Sequence, residues 1–227
     1  MPDALVALIL AQVAVGVAII VVVGIVGELA EGEILSDRLT LGTIFFIQAF
    51  LWVGYAGWTL VVSQRKGNGV VADFGWKFRI PDLWQGLLIG FGAQIVAVPI
   101  IYVMLFYFTG EQDVSEAARE LTDRAATPLD VVLLLVIVVV GAPIVEELFF
   151  RGLLLRSIER RFGSTVALIG SSVIFAAVHF QLLQFPALLM FGLLAGWLTL
   201  RTGRLGPAVW AHVGFNLVTV LALLAVS

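Results

Sequence analysis

Cysteine is absent from this sequence and charge is scarce, with 13% of the 227 residues being Asp, Glu, Lys or Arg. Without cysteine there is no disulfide scaffold and no thiolate metal site. A soluble domain is about 25% charged and about 45–50% apolar. This chain is 61% hydrophobic with a mean hydropathy of +1.08. So little polar surface cannot clothe a soluble globule of this size, which excludes a soluble enzyme and a disordered chain. A net charge of −3 and a pI near 5.3 leave no basic footprint for nucleic acid. Histidine is scarce too, with two in the whole chain. What remains is an integral, multi-pass membrane protein with lipid as its surroundings.

Long apolar runs are what the sequence does have. Seven of them approach the roughly 20 residues that a helical crossing needs: 4–26, 39–62, 83–108, 129–150, 163–180, 185–200 and 206–226. They are continuous and rich in Leu, Val and Ile, so they predict helices and not the alternating strands of a β-barrel. The expected fold is all-α, a polytopic transmembrane bundle of about seven spans in a single integral-membrane domain, 1–227. The first run is too long for a signal-peptide core and has no basic segment before it, so it reads as a span. A short surface helix is expected near 114–121, capped by Asp113 or Ser115.

Basic residues set the expected orientation. The segments 64–82, 151–162 and 201–205 hold 10 of the 13 Lys and Arg residues, and the alternate loops hold only Arg38, Arg119 and Arg124. Those alternate loops carry the acids, from Glu28 to Asp37 and from Glu111 to Asp130. By the excess of Lys and Arg in cytoplasmic loops, the N-terminus is cytoplasmic and the C-terminus outside.

The few polar residues that fall within spans carry the chemistry, because ionisable groups at membrane depth are expensive and face a bundle interior or a wet cavity. Glu146 and Glu147 are adjacent and close the fourth run on its cytoplasmic side. On a helix, Glu147 and Arg151 share a face and can pair, while Glu146 points elsewhere. An unpaired carboxylate in a dry site suits a general base. Gly141-Ala142-Pro143 just before it can open the helix backbone. Phe175 and His179 share a face of the fifth run, as do His212 and Asn216 in the seventh. Taken singly, each histidine is more simply a packing residue. Taken together, both histidines and the intramembrane acids lie in spans, and a shared polar site explains the whole set. Its inventory suits activating water and stabilising an oxyanion. The HExxH helix of a zinc protease and the GxSxG elbow of a serine hydrolase are missing.

Three motifs in order, EExxxR at Glu146–Arg151, FxxxH at Phe175–His179 and HxxxN at His212–Asn216, resemble those of the CPBP intramembrane proteases, also called the CAAX-protease or Abi family, which include the type II prenyl-protein endopeptidases. The likeness covers a catalytic core at 129–226, with a weaker likeness at Phe74-Gly75-Trp76-Lys77. It implies an endopeptidase acting near the cytoplasmic side on a membrane-anchored protein or lipidated peptide, in a bacterial or archaeal cell membrane. It implies Glu146 as the base helped by His179, His212 and Asn216 as the oxyanion pocket, and Glu147, Arg151 and Phe175 in support. It also leaves open a divalent metal, zinc, which Glu146, His179 and His212 would hold. A transporter or proton relay, or a non-catalytic immunity-type partner, are alternative uses of the same buried groups.

Overall fold

The computed structural model describes residues 2–26, 39–110 and 116–225. The described residues are helical, and six helices among them are long and apolar enough to cross a membrane. Helix α1 spans Pro2–Val26. Helix α2 (Leu41–Arg65) follows, then the single turn α3 (Val70–Asp73) and the long α4 (Ile80–Phe108). A surface helix α5 (Glu116–Thr122) precedes α6 (Pro128–Phe162), α7 (Ser164–Ala177), α8 (Phe185–Thr202) and α9 (Gly206–Leu224). The surface helix was expected within about two residues of this place, and its proposed caps, Asp113 and Ser115, lie outside the described residues, as does the acidic loop 28–37.

Two expectations change. The fourth run does not stop at 150: α6 continues for 35 residues to Phe162, so 151–162 is helix and not loop. Arg151, counted above with the loop cations, is buried inside that helix at 1% exposure. The cluster of charge read as a helix end is a neutralised pair in mid-helix. The fifth run forms a helix of only 14 residues, short of a full crossing.

Small residues let these helices approach closely, the usual device where lipid removes any hydrophobic drive to associate. Helix α1 buries Ala4, Ala7, Ala11 and Ala18 completely, one stripe at helical spacing, with Gly54 of α2 against the Ala11 backbone. Its other faces stay apolar and exposed, Ile9, Ile20 and Ile25 among them, as lipid requires. Helix α4 lies on α9 through Gly86 and Gly90, where any side chain would strike the backbone of Pro207, Ala211 and Phe215. Gly192 and Gly196 of α8 admit Ser172 and Leu168 of α7 in the same way.

One end of the bundle is stitched by charge and backbone. Asp82, buried at the start of α4, accepts from Arg204 Nη2 at 2.6 Å and from the Arg79 backbone N–H at 2.8 Å. Leu205 N–H donates to Gly75 O at 2.8 Å, and Gly206 N–H to Lys77 O at 3.2 Å. Gly75 needs its positive φ of 71° here, because the Gly203 carbonyl occupies the space of a side chain. The Phe74–Lys77 segment is thereby fixed beneath the α8–α9 turn.

Candidate active site

The hairpin of α6 and α7 sets the height of the site. Glu146 stands 17 residues before the turn at Gly163 and His179 stands 16 after it. At 1.5 Å per residue these arms are each about 25 Å, so both side chains reach the same level. The extension of α6 past Arg151 produces this match. It also moves Glu146 from the helix end, where the sequence pattern placed it, to mid-helix.

The backbone of α6 departs from α geometry on both sides of Glu146. Leu135–Gly141 and Glu147–Leu154 are π-helical, a rare conformation that concentrates at functional sites. Gly141, at the end of the first stretch, takes the Trp52 ring where a side chain would be. Asn216 of α9 donates from Nδ2 to the Val138 carbonyl at 2.7 Å, meeting an acceptor of the distorted stretch. A carboxamide carries two N–H groups, so Asn216 has a second to offer.

Glu147 and Arg151 form the buried base of the site. Arg151 Nη1 donates to Glu147 Oε1 at 3.0 Å, and Arg151 Nη2 donates to the Gly192 carbonyl at 3.3 Å. The guanidinium lies 4.4 Å over the Phe175 ring. The i, i+4 pairing read from sequence is therefore present. The sequence pattern did not reach the next link, in which His212 Nδ1 lies 2.8 Å from the same Glu147 oxygen. A carboxylate accepts, so Nδ1 carries the proton and donates. The other nitrogen, Nε2, is left facing Glu146 Oε2 at 3.9 Å. Phe191 packs on the His212 ring with centroids 4.6 Å apart.

His179 is held by its own helix. Its Nδ1 donates to the Phe175 carbonyl at 2.7 Å, and its ring meets the Phe175 ring edge-on at 4.8 Å. That hydrogen bond puts the proton on Nδ1 and leaves Nε2 of a neutral ring able to accept one. The next residue, Phe180, is the only non-glycine described residue with positive φ, 54°, and is 86% exposed. A strained backbone beside a polar side chain is a common property of functional sites.

Glu146, His179, His212 and Asn216 all line one cavity of about 370 Å³, together with Phe175. Glu147 and Arg151 sit beneath it. Gln48, Gln181, Gln184 and Thr219 also line it and were not singled out from sequence. Gln181 and Gln184 follow His179 so closely that their place in an apolar run was a usable signal. Among the described residues, no three or more His, Cys, Asp or Glu side chains are grouped so as to hold a metal ion. His212 donates Nδ1 to Glu147 and His179 donates Nδ1 to the Phe175 carbonyl, which orients both rings and leaves each Nε2 free. Glu146, His179 and His212 are therefore oriented as ligands could be, but in this arrangement they are not gathered into one metal-holding group.

The segment that builds the site, residues 128–218, matches the family described as type II CAAX prenyl endopeptidase Rce1-like. The match holds all three motifs and the whole set Glu146, His179, His212 and Asn216. No curated protein and no solved structure matches the chain. The Rce1-like segment comprises α6, α7, α8 and most of α9, and the remaining helices pack around it. The fold is all-helical among the described residues, with six helices long and apolar enough to cross a membrane, and its segment 128–218 is similar to a protease family.

Proposed function

We propose that the protein is an intramembrane endopeptidase that hydrolyses a peptide bond of a membrane-anchored protein or lipidated peptide with water activated by Glu146. The observation that carries this reading is the convergence of Glu146, His179, His212 and Asn216 from three separate stretches of chain on one cavity. In this reading the Glu146 carboxylate takes a proton from water as its oxygen attacks the carbonyl carbon. His179 Nε2 helps to orient that water. The oxyanion that forms is met by the spare N–H of Asn216, with the His212 ring beside it. Glu147, beneath the ring, fixes its orientation through Nδ1. The proton taken by Glu146 then passes to the departing amine, and the peptide C–N bond breaks. No step of this reading runs through a metal ion. The catalytic core is assigned to 129–226 in a single membrane domain, with the N-terminus on the cytoplasmic side.

The test is cleavage of a membrane-anchored reporter peptide by purified protein in lipid. Replacing Glu146 with Gln or Ala is expected to lower the rate about 10²- to 10⁴-fold, the usual contribution of a general base, with unchanged thermal unfolding. Unchanged cleavage by a folded Glu146→Ala protein overturns the reading.

A further inference from the structure

A second recess, separate from the cavity that holds Glu146, lies where α6 leaves its apolar run. Its volume is about 370 Å³, and it is walled by the last turns of α6, the end of α2, the single turn α3 and the start of α1. Arg156 stands ten residues beyond Glu146 on α6, about 15 Å along the axis. Leu153, Ser157 and Arg161 follow one another at four-residue steps, with Arg156 and Arg160 beside them. One face of the helix therefore brings an apolar residue, a hydroxyl and three guanidinium groups to the recess.

Four cations and two carboxylates line it. Both carboxylates are already engaged. Asp3 accepts from Lys66 Nζ at 2.7 Å, which neutralises that lysine, and Asp73 accepts from the Asn68 backbone N–H at 2.7 Å. Arg156 donates from Nη1 to Glu159 at 2.8 Å and keeps further N–H groups, since a guanidinium carries five. Arg160 and Arg161 are exposed, and among the described residues neither has a carboxylate in ion-pair range. Three neighbouring arginines with donors to spare have the chemistry that recognises phosphate oxygens.

The rest of the lining tells which phosphate. Val62, Phe74 and Leu153 give the recess an apolar part, and Phe74 and Leu153 are nearly buried. Inorganic phosphate has nothing to place there, whereas a lipid has its glycerol and first methylenes. The arginines come directly after Leu153-Leu154-Leu155, where the 35-residue helix passes from apolar to basic sequence. Lipid phosphates lie at this level beside a spanning helix. Basic pockets between membrane helices hold anionic headgroups by the same combination. We propose that the recess between α1, α2 and the end of α6 binds the headgroup of an anionic phospholipid, with Arg156, Arg160 and Arg161 on the phosphate and the apolar lining under the glycerol. Bound there, the lipid ties α1 and α2 to the helix that carries Glu146. The site is independent of the proposed reaction, and its test measures no cleavage.

Full-length protein is purified in detergent, delipidated and titrated with phosphatidylglycerol or with phosphatidylcholine, whose headgroup has the phosphate but no net charge. Bound lipid is counted by native mass spectrometry. Expected is retention of phosphatidylglycerol at concentrations about 10-fold below those needed for phosphatidylcholine, and loss of that preference by about 10- to 30-fold in the double variant Arg160→Gln, Arg161→Gln. Equal retention of the two lipids by the parent overturns the proposal, as does an unchanged preference in R160Q/R161Q. Arg65→Gln with Lys77→Gln removes the same charge from exposed positions outside the recess and should leave the preference intact. An equal loss in that pair means general attraction to a basic surface and overturns the site. Ser157→Trp fills the recess without changing its charge, and a folded S157W protein that binds as the parent does also overturns it. Millimolar inorganic phosphate should not displace the lipid. If it does, the recess is a site for the free anion and the assignment to a lipid fails.

Discussion

Glu146 and Glu147 are chemical twins one peptide bond apart, and the layers they belong to could hardly differ more. Glu147 is 0% exposed and accepts from both Arg151 and His212. Glu146 faces the cavity with one histidine nitrogen 3.9 Å away. The lower layer is a neutralised, immobile base, and the upper layer is a reaction chamber. Neighbours on a helix point about 100° apart, so one backbone can serve both layers. A polar site in an apolar bundle needs this division. The groups that do chemistry must stay accessible, and the charge buried below them is paired through Glu147 Oε1, while Oε2 is buried without a hydrogen-bond partner.

Substitutions at the two layers should separate activity from stability. The largest effect is expected at Glu146, where Gln removes the base, about 10²- to 10⁴-fold in rate, and leaves unfolding unchanged. At Arg151, Ala leaves Glu147 charged in the interior without its guanidinium, with His212 as the remaining donor to it. A loss of about 3–5 kcal/mol in stability is expected, read by thermal or denaturant unfolding in detergent, with little folded protein recovered. If R151A is as stable as the parent and loses only activity, the division into base and chamber is wrong. Asn216→Ala belongs to the upper layer and should lower the rate about 10²- to 10³-fold, as removal of an oxyanion donor does. Gly90→Val forces a side chain into the α4–α9 contact and should destabilise by about 1–3 kcal/mol without changing the rate per folded molecule. The smallest effect is expected at Lys66, whose pair with Asp3 at 2.7 Å is 61% exposed on the lysine side. Its replacement by Ala should change stability by no more than about 1 kcal/mol, and less in high salt.

Much of this was legible before any coordinates. Apolar runs located the long helices, since a bilayer demands length and continuity of hydrophobic sequence. Glu146, His179, His212 and Asn216 stood out because lipid makes polar residues rare. The extent of α6 was not legible. Arg151, Arg156, Arg160 and Arg161 resemble a cytoplasmic loop by charge, and only tertiary pairing shows that Arg151 is interior while the later arginines lie on the outward face of a helix that buries Leu155 and Ile158. The bond from Glu147 to His212 was also hidden, because it joins residues 65 apart in sequence. Helical spacing reports neighbours within a helix and is silent across helices. Of the π-helical stretches in α6, the first ends at the Gly141-Ala142-Pro143 segment that marks an opened backbone, and the second, Glu147–Leu154, has no such marker.

The hairpin at Gly163 behaves as a caliper. Its two arms are nearly equal, and the jaws are Glu146 and His179. Deleting one residue anywhere between Glu147 and Gly163 would draw one jaw in by about 1.5 Å and swing it by about 100°, while the other stayed in place. The identity of most residues along the arms is free to drift, provided each remains apolar or outward-facing as its position requires. What cannot drift is their number, so the 33-residue interval from Glu146 to His179 is itself a functional feature of the chain.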